Sequence, residues 1–407
     1  MSDLENEGID PADFTRFDPV PPEGIARAEA IMRTGHLFRY SDGRPEDSET
    51  ALLERDFAAY LGTRFALAVS SCTQAIELAL IACGVQPGSQ VLVPGFTFTA
   101  VPSAIVVLRA TPVFVECTDD LRLDIDDLRR RITPQTRFLL LSHMRGHTSD
   151  MDAIVSLCAA HGIILVEDAA HALGGCWAGR PIGSFGKVGC FSFQSNKIVN
   201  AGEGGMLSTD DEELFVKATY LSGAYETNYR KHFMRSPLFE TFAGQLPAHN
   251  VRMSNLTAAV ARPQIGLIDE KGRRYRAMRA WLQHELTAIG GIEFPREYAQ
   301  ETRIPDSIQF RVPGLDDSQL QAFIAHVRER GVPLSGFADP NNARAFYNWR
   351  YLGADMPELP QTRQAIRNVC DMRLPSTLRE GHLAYIVAAV RSALHQVDVK
   401  PLTAVAP

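Results

Sequence analysis

FALAVSSCTQAIELALIACG, residues 65–84, changes its hydrophobic period halfway along. Phe65 to Val69 is an unbroken apolar run of strand length, whereas Thr73 to Gly84 spaces its apolar residues as a helix and stops at glycine. The same change recurs on either side. Upstream, ALLERDFAAYLG (51–62) reads as an amphipathic helix ended by Gly62. Downstream, VLVPG (91–95), TAVPSAIVVLRA (99–110) and PVFVE (112–116) alternate strand, helix and strand, and RFLLLSH (137–143), MDAIVSLCAAHG (151–162) and IILVED (163–168) do so again. Apolar strands separated by helices of about a dozen residues are the pattern of a parallel sheet covered on both faces. The expected fold is therefore α/β, a doubly wound, mostly parallel sheet.

The ends of the chain read differently. Residues 1–30 are expected to be an N-terminal arm, with a helix over Gly24–Thr34 stopped by Gly35, and His36–Ser48 a surface loop. Residues 31–268 would form the large domain. Residues 269–407, with a long helix over 271–290, then SIQFRV, LDDSQLQAFIAHVRERG, VPLSGF and a closing helix, resemble a smaller α+β domain. The basic run Lys271–Arg279 is expected to be a solvated helix face.

Bulk properties narrow the function. Among 407 residues, 45% are hydrophobic and 22% charged, which suits an ordinary globular protein. A net charge of -7 speaks against a nucleic-acid surface. No apolar run reaches the ~18–20 residues that cross a bilayer, and Met1–Pro22 is acidic and unlike a signal peptide, so the cytoplasm is expected. Seven cysteines without a C-x-x-C pair make a disulfide framework or a metal site unexpected.

Three stretches could carry chemistry. VEDAAHALGG (166–175) puts Glu167 and Asp168 at the end of a buried strand, where open α/β sheets bind ligands, with His171 three residues on. Taken alone, Asp168 reads more readily as a helix cap. GCFSFQSNKIVNAGEGG (189–205) carries Lys197 from an apolar strand into a glycine-rich turn. Burial there disfavours the ammonium and frees the amine for Schiff-base chemistry, although a loop lysine paired with Glu203 fits equally. At Ser71, Cys72 and Thr73 a strand passes straight into a helix, which makes either a plain N-cap or a phosphate cradle. A phosphate cradle, a strand-end aspartate and a turn lysine in that order suit pyridoxal phosphate (PLP), and Phe96 or Phe98 could cover the ring.

At these residues the sequence resembles the DegT/DnrJ/StrS-type sugar aminotransferases, a branch of the fold-type-I PLP enzymes. EDAAHALGG…GRPIGSFGKVGCFSFQSNKIVNAGEGGMLSTDD carries the likeness, which extends over roughly residues 50–270. The resemblance implies that Lys197 is the Schiff-base lysine of an internal aldimine and the proton carrier. It implies that Asp168 faces the pyridine nitrogen and His171 the cofactor's 3-hydroxyl. Ser192 with Ser71, Cys72 and Thr73 would hold the phosphate, Phe98 would stack on the ring, and Asn250 would reach the phosphate from the other subunit of a homodimer. Cys72 stands where most relatives have glycine. SHMRGHTSDMD (142–152) departs from the family's substrate loop, and makes Arg145 and His147 substrate candidates, with Arg252 a third.

The expected activity is transfer of an amino group from glutamate or glutamine to a keto-sugar or keto-cyclitol. Two other readings remain open: PLP-dependent elimination, replacement or carbon–carbon bond formation on an amino acid, motivated by the Arg145/His147 loop, and a binding protein without turnover.

Overall fold

Leu139, Leu140 and Leu141 are all buried, yet Leu139 and Leu141 belong to one hydrophobic core and Leu140 to another. Successive strand side chains point to opposite faces, so a strand that is apolar at every position must be covered on both. The computed structural model of the chain describes residues 9–397 and has this arrangement throughout its main sheet. The strands are β1 (Phe65–Val69), β2 (Gln90–Pro94), β3 (Thr111–Val115), β4 (Phe138–Ser142), β5 (Ile164–Asp168), β6 (Val188–Ser192) and β7 (Gly205–Thr209), in the order β1-β7-β6-β5-β4-β2-β3. Helices α1 (Pro22–Thr34), α2 (Glu49–Leu61), α3 (Cys72–Ala82), α4 (Ala100–Val107) and α5 (Met151–His161) come from the segments with helical spacing. Leu53, Phe57 and Ile154 pack on one face of the sheet, and Ile76, Leu80 and Ile105 on the other. Among the described residues, no helix is long and apolar enough to cross a membrane.

The sheet is the expected α/β, doubly wound and mostly parallel one, with one antiparallel strand in it. That strand is β7, which runs against both β1 and β6. Ser192 pairs with Gly205 at the end of the β6–β7 ladder, so residues 193–204 form a loop beyond the carboxyl ends of the parallel strands. Lys197 sits on that loop.

Further helices are α6 (Asn255–Ile265), α7 (Ile268–Ile289), α8 (Asp317–Glu329) and α9 (Glu380–Gln396). Between them lies an antiparallel sheet of β8 (Ser307–Arg311), β9 (Ser335–Gly336) and β10 (Val369–Arg373), in the order β8-β10-β9. Tyr275, Leu282, Phe310 and Ile386 share the core that covers one face of the main sheet.

Two expectations about peripheral segments need correction, and the N-terminal arm has a fixed contact. The N-terminal arm is anchored: Phe14 is buried and its ring lies 6.0 Å from that of Tyr385 on α9. The loop over 36–48 is not wholly on the surface, because Arg39 is only 2% exposed; its guanidinium donates to Glu54 at 2.7 Å and to the Ala68 carbonyl at 3.2 Å. The basic run on α7 is partly engaged. Lys271 pairs with Asp18 at 3.1 Å, and the buried Arg279 pairs with Glu297 at 2.7 Å, so only part of that face meets solvent.

Candidate active site

The carboxyl ends of β1, β4, β5 and β6 lie along one edge of the sheet, where strand topology leaves a crevice. A cavity of about 390 Å³ opens there, and Ser71, Cys72, Thr73, Phe98, Arg145, Asp168, His171, Ser192 and Lys197 all line it.

Lys197 is carried by the β6–β7 loop and is partly buried. Its Nζ lies 2.8 Å from His171 Nε2. Burial pushes the Lys197 amine down to about 8, against the attraction of Asp306. Burial, reinforced by the neighbouring Lys197 charge, pushes the His171 ring down to about 3, so it is neutral and can accept from the lysine. Asp306 stands 3.8 Å behind His171 Nδ1. Burial opposes ionisation of Asp306, but His171 together with the Arg145 and Lys197 charges holds its carboxyl well below the usual range.

Asp168 ends β5 and is 5% exposed. No helix follows it; the next residues form turns, and the Ala170 N–H donates to its Oδ1 at 3.1 Å. The Ser142 hydroxyl donates to its other oxygen at 2.7 Å, and Cys72 Sγ lies 3.7 Å from Oδ1. These contacts fix the carboxylate at the cavity wall. Glu167, its neighbour, points to the opposite face and accepts the N–H groups of Gly183, Phe185 and Gly186 at 2.7–2.9 Å. Its role is to bind the turn before β6.

At the start of α3, the Ser71 hydroxyl accepts the Gln74 N–H at 3.3 Å. Among the described residues, the N–H groups of Cys72 and Thr73 have no protein acceptor. Beside them runs Gly205, where a Cβ would stand 2.5 Å from the Ser71 carbonyl carbon and 2.6 Å from the Cys72 nitrogen. Unpaired donors at a helix start are an anion site. Between that cradle and Asp168, the cavity has the donor set that PLP requires: an amine, an acid for the ring nitrogen, N–H donors for the phosphate, and Phe98 as an aromatic wall.

Of the two aromatic candidates, Phe96 is 1% exposed and its ring packs against Phe337, whereas Phe98 is 40% exposed on the cavity. Three other candidates lie apart. His147 is buried outside the cavity, its ring 3.1 Å from Gln309 Oε1. Arg252 donates to the Gly223 carbonyl at 2.9 Å and lies against Phe38 and Tyr225, away from the cavity of its own chain. Asn250 is exposed and likewise outside that cavity.

Other lining residues escaped sequence reasoning. Arg344, between β9 and β10, and Arg373, at the end of β10, reach the cavity from the smaller sheet; Glu203, which the sequence offers as a partner for Lys197, lines the cavity too, but the Lys197 amine contacts His171 instead. Arg145 itself adopts φ 56°, a left-handed conformation unusual for a residue with a side chain, and its guanidinium is paired with Asp371 on β10. No periodicity marks these arginines; tertiary packing brings them in.

A sequence model of the DegT/DnrJ/EryC1/StrS aminotransferase family matches residues 25–391. The chain is 32% identical to 3-amino-5-hydroxybenzoate synthase of Amycolatopsis mediterranei, over 79% of each chain. It is 31% identical to L-glutamine:2-deoxy-scyllo-inosose aminotransferase of Streptomyces kanamyceticus, over 81% of this chain and 78% of that enzyme. In structure it superposes on crystalline 3-amino-5-hydroxybenzoic acid synthase with a TM-score of 0.81 and 27% identity, covering 94% of this chain and 99% of that one.

Proposed function

Since the chain belongs to the DegT/DnrJ/EryC1/StrS aminotransferase family and is a PLP-dependent aminotransferase, we propose that it moves an amino group from glutamate or glutamine to a cyclic ketone, a keto-sugar or keto-cyclitol. Relatives whose names carry glutamine and scyllo-inosose support both the donor and the ring. The observation that carries the reading is the contact between Lys197 Nζ and the neutral His171 ring, 2.8 Å, in a cavity shared with Asp168 and the open N–H groups of α3.

When bound, PLP supplies an electron sink and a carbonyl that holds the amine between half-reactions. Ser71, Cys72, Thr73 and Ser192 would hold its phosphate, Phe98 its ring face and Asp168 its ring nitrogen. The rest falls to the chain's own groups. Lys197 Nζ, lowered to about 8, gives up its proton far more readily than an ordinary lysine and would carry a proton to and from the substrate carbon. His171 would keep that amine oriented by accepting its hydrogen bond, and Asp306 would fix the imidazole from behind. Asp168, restrained by Ser142 and the Ala170 N–H, would keep its charge towards the ring.

The same reading makes the enzyme a homodimer. Asn250, exposed and outside its own chain's cavity, would reach the cofactor phosphate in a second copy. The loop that motivated a different PLP reaction contributes only Arg145 to the cavity, because the His147 ring is held by Gln309. Purified protein should be yellow, and glutamate or glutamine should bleach its visible absorption while releasing the matching 2-oxo acid. An unchanged spectrum with every amino donor would contradict the proposal.

A further inference from the structure

The cavity wall carries two arginines that no group among the described residues completes. Arg145, Arg344, Arg373 and Lys197 line the cavity, against Asp168 and Glu203. Two further acids nearby are already engaged. Asp371 is paired with Arg145 and also accepts from Gln309 at 2.9 Å, while Asp306 stands behind His171. Arg344 and Arg373 are left over. Among the described residues neither guanidinium makes a hydrogen bond or ion pair, and the Nε of each is buried without a partner. Burial, with Arg145 nearby, pushes Arg344 down to about 10. Solvated surface arginines do not look like this. Both residues are half-buried in the cavity wall; a guanidinium partly withdrawn from water without an anionic partner is open to a ligand anion, and its planar fork matches a carboxylate.

Placement argues that the anion is a substrate's. Arg344 lies 5.7 Å from the centre of the Phe98 ring, and Arg373 ends β10; both belong to the smaller sheet and its connections, not to the α3 start that offers N–H donors to a phosphate. In a ping-pong reaction donor and acceptor occupy one cavity in turn, so an acceptor without an anion would leave both guanidinia uncompensated. Resting on the function proposed above, we infer that the amino acceptor is a cyclic ketone bearing a carboxylate, and that Arg344 and Arg373 are the residues that bind it.

Calorimetric titration of the holoenzyme with 3-oxocyclohexanecarboxylate and with its uncharged carboxamide tests this without needing turnover. The carboxylate should bind about 30-fold or more tightly than the amide, as expected for charge-assisted hydrogen bonds. R344Q and R373Q should each shrink that preference, and the double variant should abolish it, with cofactor affinity unchanged. Equal binding of the two probes by the wild-type enzyme would overturn the inference. So would a preference that survives in the double variant, or variants that lose cofactor while keeping the preference, which would assign the arginines to the phosphate. Variants slowed only with glutamate, with ring selectivity intact, would assign them to the donor alone and overturn it too. The glutamate-driven spectral change of the wild-type enzyme reports on the underlying function separately: its absence would count against transamination, whatever the ring probes do.

Discussion

Lys197 pays for its availability in stability. Its amine titrates near 8 in the folded chain because burial disfavours the ammonium, whereas an unfolded lysine holds its proton to 10.5. The folded state is therefore penalised by up to about 3 kcal/mol, less whatever solvent screens at this partly buried site. The penalty is complete below pH 8, fades as pH rises from 8 to 10.5, and is absent above that. In cofactor-free protein, K197M should raise Tm by a few degrees at pH 7, and the gain should vanish near pH 11. Differential scanning calorimetry across that range checks the sign; a variant less stable than the parent at pH 7 would contradict it. Lys197, Asp168 and His171 were legible in sequence because each sits where an apolar strand ends, a position the hydrophobic pattern reveals. Asp306, Arg344 and Arg373 were not, since they lie in irregular segments or at the end of an unremarked strand, and only the packing of the smaller sheet on the larger gives them a place.

Among the elements, the start of α3 and the strand beside it are the most constrained pair. Gly205 on β7 runs so close to the Ser71–Cys72 peptide that a Cβ would stand 2.5–2.6 Å from backbone atoms. Backbone cannot swing aside as a side chain can, so G205A should displace the helix start or β7. Spectroscopic titration should find PLP binding weakened at least tenfold, or the protein less stable by more than about 1 kcal/mol. Unchanged affinity together with unchanged Tm would show that the cradle tolerates the shift. The helix and strand segments flanking this point followed from periodicity alone. The direction of β7 did not, because an antiparallel strand has the same apolar composition as a parallel one and differs only in how short its connection is. The loop of residues 193–204 is brief enough for a hairpin, and that length was the available signal. Buried Arg39 was hidden for a related reason: its partners, Glu54 and the Ala68 carbonyl, come from α2 and β1 rather than from its own loop.

At the scale of the molecule, a buried ion pair ties the main sheet's periphery to the segment leading into the smaller sheet. Arg122 and Glu301 are 2.5 Å apart with side chains 2% and 1% exposed, and Arg122 also donates to the Thr148 carbonyl at 2.7 Å. E301Q would leave that guanidinium uncompensated and should cost about 3–5 kcal/mol, measurable by denaturant unfolding; a loss below about 1 kcal/mol would mean that solvent already screens the pair. The proposed dimer makes its own prediction. N250A and K197A, each impaired alone, should regain activity when refolded together, because one site in the mixed dimer would be intact; no recovery, or a monomer in sedimentation, would count against sites shared between copies. All of these rest on the proposal that the cofactor is bound covalently to one lysine. Borohydride reduction of the holoenzyme followed by peptide mass spectrometry addresses it directly: the account predicts a stable pyridoxyl group on Lys197 and on no other residue, and an unmodified Lys197, or a pyridoxyl group on another lysine, would contradict it.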